Sequence, residues 1–183
     1  MMNKIHINSQ WMTVSFVSTL LNKILYIQDW VNILRKKLDK DKLKIQKYEN
    51  DEYGEAYTNL VSFYNPLYAG LLITIYSSLE YDICVLFSLE KFNFNDFRSQ
   101  LENRDIDIKK LKYFEDINIL RLCCNAYKHN NGFVTKKLEN KINNNSHNEI
   151  EYISMNIIEY YEKACRFLFD IYEKINKCKR ALL

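Results

Sequence analysis

Residues 116–132 of the chain read DINILRLCCNAYKHNNG, a pattern that predicts one amphipathic helix. Asp116 is a typical N-cap residue, and Gly132 follows two asparagines, a combination that commonly ends a helix in the left-handed conformation. Between these limits, apolar side chains recur at intervals of three and four residues, at Ile117, Leu120, Cys124 and Tyr127. Such a stripe becomes buried against other helices, so the stretch favours a protein built from packed helices.

The other face of the predicted helix carries a polar row formed by Asn118, Arg121, Asn125 and His129, with Lys128 at its edge. Polar rows on helices are usually solvated surfaces. This row, however, combines a permanent cation, an amide that donates and accepts hydrogen bonds, and an imidazole that titrates near neutral pH. Because this combination suits a phosphodiester, the row is a candidate binding or catalytic site.

The end of the stretch, Asn125-Ala-Tyr-Lys-His129-Asn-Asn-Gly132, resembles the signature of the HEPN superfamily, small helical proteins of which many are metal-independent ribonucleases. The usual signature is an arginine, four to six intervening residues and a histidine, with a polar residue commonly following the arginine. Position 124, where the arginine stands in the commonest spacing, is a cysteine here. The nearest arginine, Arg121, lies eight residues before His129 and two helical turns away on the same face. The resemblance extends loosely over residues 60–175.

This resemblance implies a metal-independent RNA endonuclease that needs no cofactor. HEPN ribonucleases generally act as homodimers and use the 2′-hydroxyl of RNA as the nucleophile. In that mechanism His129 would transfer protons, and Asn125 would orient the phosphate or the histidine. Arg121 or Lys128 would stabilise the charge of the phosphorane. HEPN-like proteins often occur as toxins or phage-defence components, a context that would add a cognate regulatory protein as a partner.

A second hypothesis is a catalytically inactive, HEPN-like module for dimerisation or interaction. The cysteine that stands directly before Asn125 favours this alternative, because the signature arginine is missing there. The polar row would then cap the bundle or form a dimer contact. Cleavage of RNA distinguishes the two hypotheses.

Composition favours an all-α protein that forms a single domain over residues 1–183. The chain is 48% apolar, enough for a substantial core, and it contains only three glycines and one proline. No long stretch alternates with period two. The expected architecture is a bundle of four main helices with one or two short additional helices. The net charge of +3 is too small to establish nucleic-acid binding.

The five cysteines lack the paired spacing of a metal site. They lie within apolar helical patterns, which indicates reduced, buried thiols in a cytoplasmic protein. We therefore expect neither a zinc site nor a cysteine nucleophile.

The N-terminal part is predicted to form one long helix over about residues 9–44 rather than a targeting signal. Its apolar face would consist of Val14, Val17, Leu21, Ile24, Val31, Leu34 and Leu38. The distal half is rich in lysine, which usually indicates a solvated helix end, although a track for RNA phosphates is the alternative. Residues 50–55, which include Gly54, are interpreted as the connection to the next helix.

The most apolar stretch, residues 67–92, is predicted to be a buried bundle helix and not a membrane span. Glu80 and Asp82 lie near its middle, and burying such charges in lipid would cost roughly 2.5 kcal/mol or more each. Pro66 is interpreted as a break or a helix start, with Asn65 as its cap.

Glu80 belongs to the segment SSLEYDI, which resembles the acid-bearing second helix of many HEPN-like proteins. A carboxylate on an otherwise apolar helix needs a partner, and the face formed by Arg121, Lys128 and His129 offers cations. The alternative is that Glu80 reaches solvent at the edge of the bundle.

Four further segments complete the prediction. Residues 93–114 suggest two short helices, and residues 140–148 suggest a flexible loop. Residues 149–152 alternate between acidic and apolar side chains, as a short extended piece would. The final helix is predicted to be capped by Asn156 and to continue to about Lys177. Its apolar face would consist of Ile157, Tyr161, Ala164, Leu168, Ile171 and Ile175.

Overall fold

The chain folds into α-helices joined by short connections. In a computed structural model, the backbone is described for residues 9–142 and 150–181, and no strand occurs within these ranges. The predicted all-α class is therefore confirmed. Six helices are present in the described ranges: α1 (Ser9–Ile45), α2 (Asn50–Phe87), α3 (Phe94–Glu102), α4 (Phe114–Asn130), α5 (Lys136–Ile142) and α6 (Ile157–Ala181). Two short 3-10 turns, Ile108–Lys110 and Tyr152–Ser154, precede α4 and α6.

Helix α2 lies at the centre of the fold and contacts α1, α4 and α6, the other three long helices. Its buried side chains include Tyr64, Tyr68, Leu72, Ile75 and Leu79, which recur at intervals of three and four residues. The predicted apolar face of α6 is confirmed, since all six of its residues are buried. Val31 and Leu38 on α1 are buried as well, whereas the side chains at four of its seven predicted positions lie outside the described part.

Pro66 lies inside α2, which begins at Asn50 and continues to Phe87. The predicted break at Pro66 and the predicted connection at residues 50–55 are therefore wrong. An interior proline removes one helical hydrogen bond and disfavours the helix by about 3 kcal/mol. Tyr64 and Tyr68 are nearly inaccessible on either side of it, so burial of α2 against its neighbours outweighs the local preference.

Asn65 is not a helix cap but a buried side chain that is only 3% exposed. Its amide nitrogen donates to the carbonyl of Ile150 at 2.9 Å, and its carbonyl oxygen accepts from the backbone N–H of Tyr152. The Tyr152 hydroxyl donates to the Cys123 carbonyl at 2.7 Å. The segment that leads into α6 is thereby attached to both α2 and α4.

The region between α4 and α6 departs from the prediction in part. Residues 136–142 form the short helix α5, so the predicted loop at residues 140–148 begins too early, and its remainder lies outside the described residues. Ile150 donates its N–H to the Gly132 carbonyl at 2.9 Å, and a 3-10 turn begins at Tyr152, the last residue of the expected extended piece, whose first residue lies outside the described ranges. The two short elements predicted within residues 93–114 are present as α3 and the 3-10 turn Ile108–Lys110.

The N-terminus of α6 is held as predicted. The Asn156 side chain accepts a hydrogen bond from the Glu159 N–H, and its amide lies 3.3 Å from the Glu159 carboxylate. This reciprocal arrangement satisfies an exposed amide of the first turn. The helix continues to Ala181, beyond the predicted end near Lys177.

Within the described residues, α2 is the one helix that is long and apolar enough to cross a membrane. Its most apolar window has a mean hydropathy of 1.4, and 33% of that window is buried. The core helix of a soluble protein meets the same criterion, so this property alone assigns no location. Asp82 near the end of this helix is buried and forms an ion pair with Lys23 of α1 at 2.8 Å.

Candidate functional site

Helix α4 carries the candidate site, and its apolar stripe packs as predicted. Ile117, Leu120 and Cys124 are buried. Tyr127 is partly buried and meets the Tyr152 ring edge to face, with 5.7 Å between the ring centres. These contacts fix the rotation of α4, so Asn125 and His129 are left accessible on its other side, while Asn118 and Arg121 lie closer to α2 and α3.

The start of α4 differs from the prediction. The helix begins at Phe114, after Tyr113 in the left-handed conformation, so Asp116 lies within the first turn and is not the N-cap. Its carboxylate instead accepts from Lys163 of α6 at 2.7 Å. Asp116 thus links two helices and contributes negative charge where a helix N-terminus favours it.

The end of α4 agrees with the prediction. Asn131 and Gly132 have positive φ angles of 49° and 84°, and the Gly132 N–H donates back to the Ala126 carbonyl at 3.1 Å. The Asn131 N–H donates to the same carbonyl, so the two left-handed residues close the helix end through backbone hydrogen bonds. The Asn130 side chain donates to the Phe133 carbonyl at 2.9 Å, which directs the chain towards α5. The sharp reversal brings the first residues of α5 back beside α4.

An open groove of about 580 Å³ lies between the last turns of α4 and the start of α5. Three predicted residues line it together: Arg121, Asn125 and His129. The opposite part of the lining is contributed by Thr135, Lys136 and Lys137, with Leu122 and Asn130 completing it. His129 is exposed and Asn125 partly exposed, so both side chains are reachable by a ligand from solvent.

Thr135, Lys136 and Lys137 were not recognised from the sequence as part of the site. The adjacent lysines shortly after the Gly132 turn were the available signal, but no helix was predicted at residues 136–142, of which the last three were assigned to a loop. Lys128 and Asn118, in contrast, are absent from the groove lining even though they are neighbours of its residues on α4.

Arg121 is partly buried and held at one end of the groove. One terminal nitrogen of its guanidinium donates to the Asn118 side-chain oxygen at 2.9 Å. The guanidinium carbon lies 5.2 Å from the centre of the Phe94 ring, a cation–π geometry. The charge is therefore fixed in position towards α3 rather than directed along α4 to His129.

Glu80 is partly buried on α2 and lines a small, mostly apolar pocket together with Arg121 and Asn118. Among the described residues no cation forms an ion pair with it, so the expected direct pair is not formed. Tyr76, one turn earlier on α2, acts on the Glu80 carboxylate through its hydroxyl. Burial raises the pKa of Glu80 above its ordinary value, while the positive charge of Lys128 and the Tyr76 hydrogen bond act in the opposite direction.

Cys124, at the position where the resemblance in sequence would place an arginine, is 0% exposed. Its thiol lies 3.5 Å from the carbonyl oxygen of Leu72, within the contact between α4 and α2. A guanidinium at position 124 would have to be desolvated within this contact, which is costly unless a carboxylate pairs with it. The positive charge at the groove therefore comes from other positions.

The four cysteines whose side chains the structure describes do not supply a reactive thiol, because burial raises the pKa of each. Burial raises the pKa of Cys123 and of Cys124 to about 12, which keeps both thiols protonated near neutral pH. Cys84 and Cys165 are partly buried and also unpaired. Over residues 9–142 and 150–181, no cluster of three His, Cys, Asp or Glu side chains is arranged to hold a metal ion.

Comparison of the chain with known protein families, with curated proteins and with solved structures found no match. The similarity to the HEPN signature remains a prediction from the motif. The chemistry of the groove is therefore inferred from the residues that line it.

Proposed function

We propose that the groove between α4 and α5 binds RNA and that the chain is a metal-independent RNA endonuclease of HEPN type. The observation that carries this proposal is the convergence of His129, Asn125 and Arg121 in one open groove with two lysines. Cleavage of a phosphodiester needs a group that transfers protons, a group that orients the phosphate, and positive charge that stabilises the transition state. An imidazole, an amide and basic side chains supply these three functions.

In the proposed reaction the RNA supplies its own nucleophile. The 2′-oxygen loses its proton and attacks the adjacent phosphorus, and the bond from phosphorus to the 5′-oxygen breaks. The 5′-oxygen receives a proton, which leaves a 2′,3′-cyclic phosphate and a 5′-hydroxyl. His129 transfers a proton, Asn125 orients the phosphate or the imidazole, and positive charge at the groove stabilises the phosphorane. Arg121 lines the groove and contributes to this last role, whereas Lys128 does not line it.

A homodimer is part of the proposal, because the groove holds one histidine whereas the reaction moves two protons. Two copies that place their α4 helices side by side would supply a second imidazole. Sedimentation at micromolar concentrations should show a dimer, and a strictly monomeric chain that still cleaves RNA would contradict the shared site.

The proposed biological role is that of a toxin or phage-defence effector acting in the cytoplasm under a cognate regulatory protein. Expression of the wild-type chain alone should then arrest growth, whereas the His129→Ala chain should not. Equal growth with both chains at equal protein levels would argue against this role.

The alternative is a catalytically inactive module for helical dimerisation or interaction. Two observations favour it: the signature position Cys124 belongs to the core, and large apolar side chains are exposed on α1 and α2. Examples are Tyr26, Trp30 and Phe63, which are 65%, 47% and 64% exposed. If the wild-type chain cleaves no RNA and His129→Ala changes only association, the module is the correct assignment.

A further inference from the structure

We infer that Lys136 and Lys137 form the phosphate-binding wall of the groove and supply the positive charge that position 124 does not. The inference rests on the proposed function in one respect, namely that the ligand is an RNA strand. It goes beyond the signature residues, because both lysines belong to α5 and lie on the far side of the Gly132 turn.

Both lysines are exposed and line the groove. Within the described parts of the chain, neither forms an ion pair or a side-chain hydrogen bond. The next lysine of α5, Lys141, behaves differently, because it pairs with Glu115 of α4. Lys163 on α6 likewise pairs with Asp116 and Glu159. The two charges at the groove thus remain available to a ligand.

A fixed scaffold positions these lysines. Leu138 directly after them is 0% exposed and anchors α5 in the core. The Thr135 hydroxyl accepts from the Leu138 N–H at 3.4 Å at the start of the helix. The preceding turn is closed by the Gly132 hydrogen bond to α4. Side chains mounted on such a supported element hold a ligand more reproducibly than side chains on an unsupported loop.

The other sources of positive charge are less suited to this task. Arg121 is committed to Asn118 and Phe94, and Lys128 lies outside the groove lining. Flexible lysines on the opposite wall can instead follow the phosphates of a strand that passes His129.

The lining also predicts how the strand is recognised. It contains no aromatic side chain on which a base could stack. Contacts would therefore be made mainly to phosphate, and binding should tolerate many sequences and weaken steeply with salt. The inferred ligand is an RNA strand bound through its backbone.

The test uses the full chain and a fluorescent single-stranded RNA in which every sugar is 2′-O-methylated, so that it cannot be cleaved. The dissociation constant is measured across a salt series for the wild type and for Lys136→Ala/Lys137→Ala. If the two lysines contact two phosphates, the double variant should reduce the magnitude of the slope of log association constant against log salt concentration by about 1.4. Binding should weaken about tenfold near 0.15 M salt. Variation of the oligonucleotide sequence should have a smaller effect.

Two controls separate this role from a general effect of charge or folding. Lys109→Ala/Lys110→Ala removes another exposed, adjacent lysine pair, on the 3-10 turn before α4, and should leave affinity within about twofold. Lys136→Arg/Lys137→Arg keeps the charge and should retain binding. Circular dichroism and the melting temperature of each variant verify that the fold is intact.

The outcomes distinguish this inference from the proposed function. If the wild type cleaves ordinary RNA but the alanine pair binds the methylated strand with unchanged affinity and salt slope, the lysine wall is wrong and the nuclease stands. If the alanine pair loses binding but the wild type cleaves no RNA, the lysine wall stands and the nuclease is wrong. If the wild type does not bind the strand at all, the inference is overturned.

Discussion

The guanidinium of Arg121 lies over the ring of Phe94, with 5.2 Å between the guanidinium carbon and the ring centre. Asn118 of α4 accepts a hydrogen bond from the same group and orients it, and the ring contact links α4 to α3 at one end of the groove. Arg121 therefore contributes to the stability of the fold as well as to the groove that it lines with Asn125. The two contributions can be separated by substitution.

Arg121→Ala should lower the free energy of unfolding by about 1 kcal/mol, because it removes a partly buried cation–π contact. It should reduce RNA cleavage less than His129→Ala does, since the lysine wall still supplies charge. Chemical denaturation and initial cleavage rates measure the two effects. Loss of cleavage as complete as that of His129→Ala, in a variant of unchanged stability, would identify Arg121 as the principal stabiliser of the phosphorane.

Asn65→Leu should destabilise the chain by about 2 kcal/mol or more. The substitution removes the hydrogen bonds of Asn65 to Ile150 and Tyr152, whose backbone groups remain buried. Asn59→Leu is the matched control, because Asn59 is an exposed asparagine of the same helix. Urea denaturation of the two variants gives the comparison, and equal stabilities would mean that Asn65 does not secure the segment before α6.

Lys23→Ala should cost about 1–3 kcal/mol, because it leaves the buried carboxylate of Asp82 without its cation. The control is Lys37→Ala, which breaks an exposed pair with Asp41 and should cost about 0.5 kcal/mol or less. Thermal and urea denaturation measure both. If the two variants lose the same stability, the Lys23 pair is no more important than a surface ion pair.

Because Cys123 and Cys124 are buried, the free energy of unfolding should fall at alkaline pH. Burial raises the pKa of each thiol from 9.0 to about 12, so the unfolded chain releases these protons first as the pH rises. Their contribution is complete below pH 9 and declines between pH 9 and about 12. Denaturation across this range measures the decline.

Alkylation gives an independent check on the same two thiols. At pH 9 the folded chain should leave Cys123 and Cys124 unmodified, whereas the urea-unfolded chain should react at both, as mass spectrometry of peptides can show. Reaction in the folded state at the unfolded rate would contradict their burial.

Local patterns were sufficient to predict much of the fold. The end of α4 follows from Asn131 and Gly132, which accept positive φ angles, and the cap of α6 follows from Asn156. The continuous course of α2 through Pro66 could not be predicted in this way. It depends on the burial of Tyr64 and Tyr68 against other helices, which no local preference expresses.

The candidate site likewise was predicted only where it depends on a local pattern. Arg121, Asn125 and His129 lie on one helix face, so their spacing was enough to bring them together. The lysine wall lies across a turn, on a seven-residue helix with one buried residue, Leu138, and therefore with too short a pattern to recognise. The restraint on Arg121 also depends on a distant residue, Phe94 of α3.

The most direct test of the central claim is cleavage of RNA by the purified chain in the presence of a chelator. The account predicts products that end in a 2′,3′-cyclic phosphate, intact DNA of the same sequence, and a loss of roughly 10²-fold or more for His129→Ala. Arg98→Ala, an exposed substitution on α3, serves as the control and should cleave as the wild type does. No cleavage by wild-type dimer, or equal cleavage by the folded His129→Ala chain, would contradict the account.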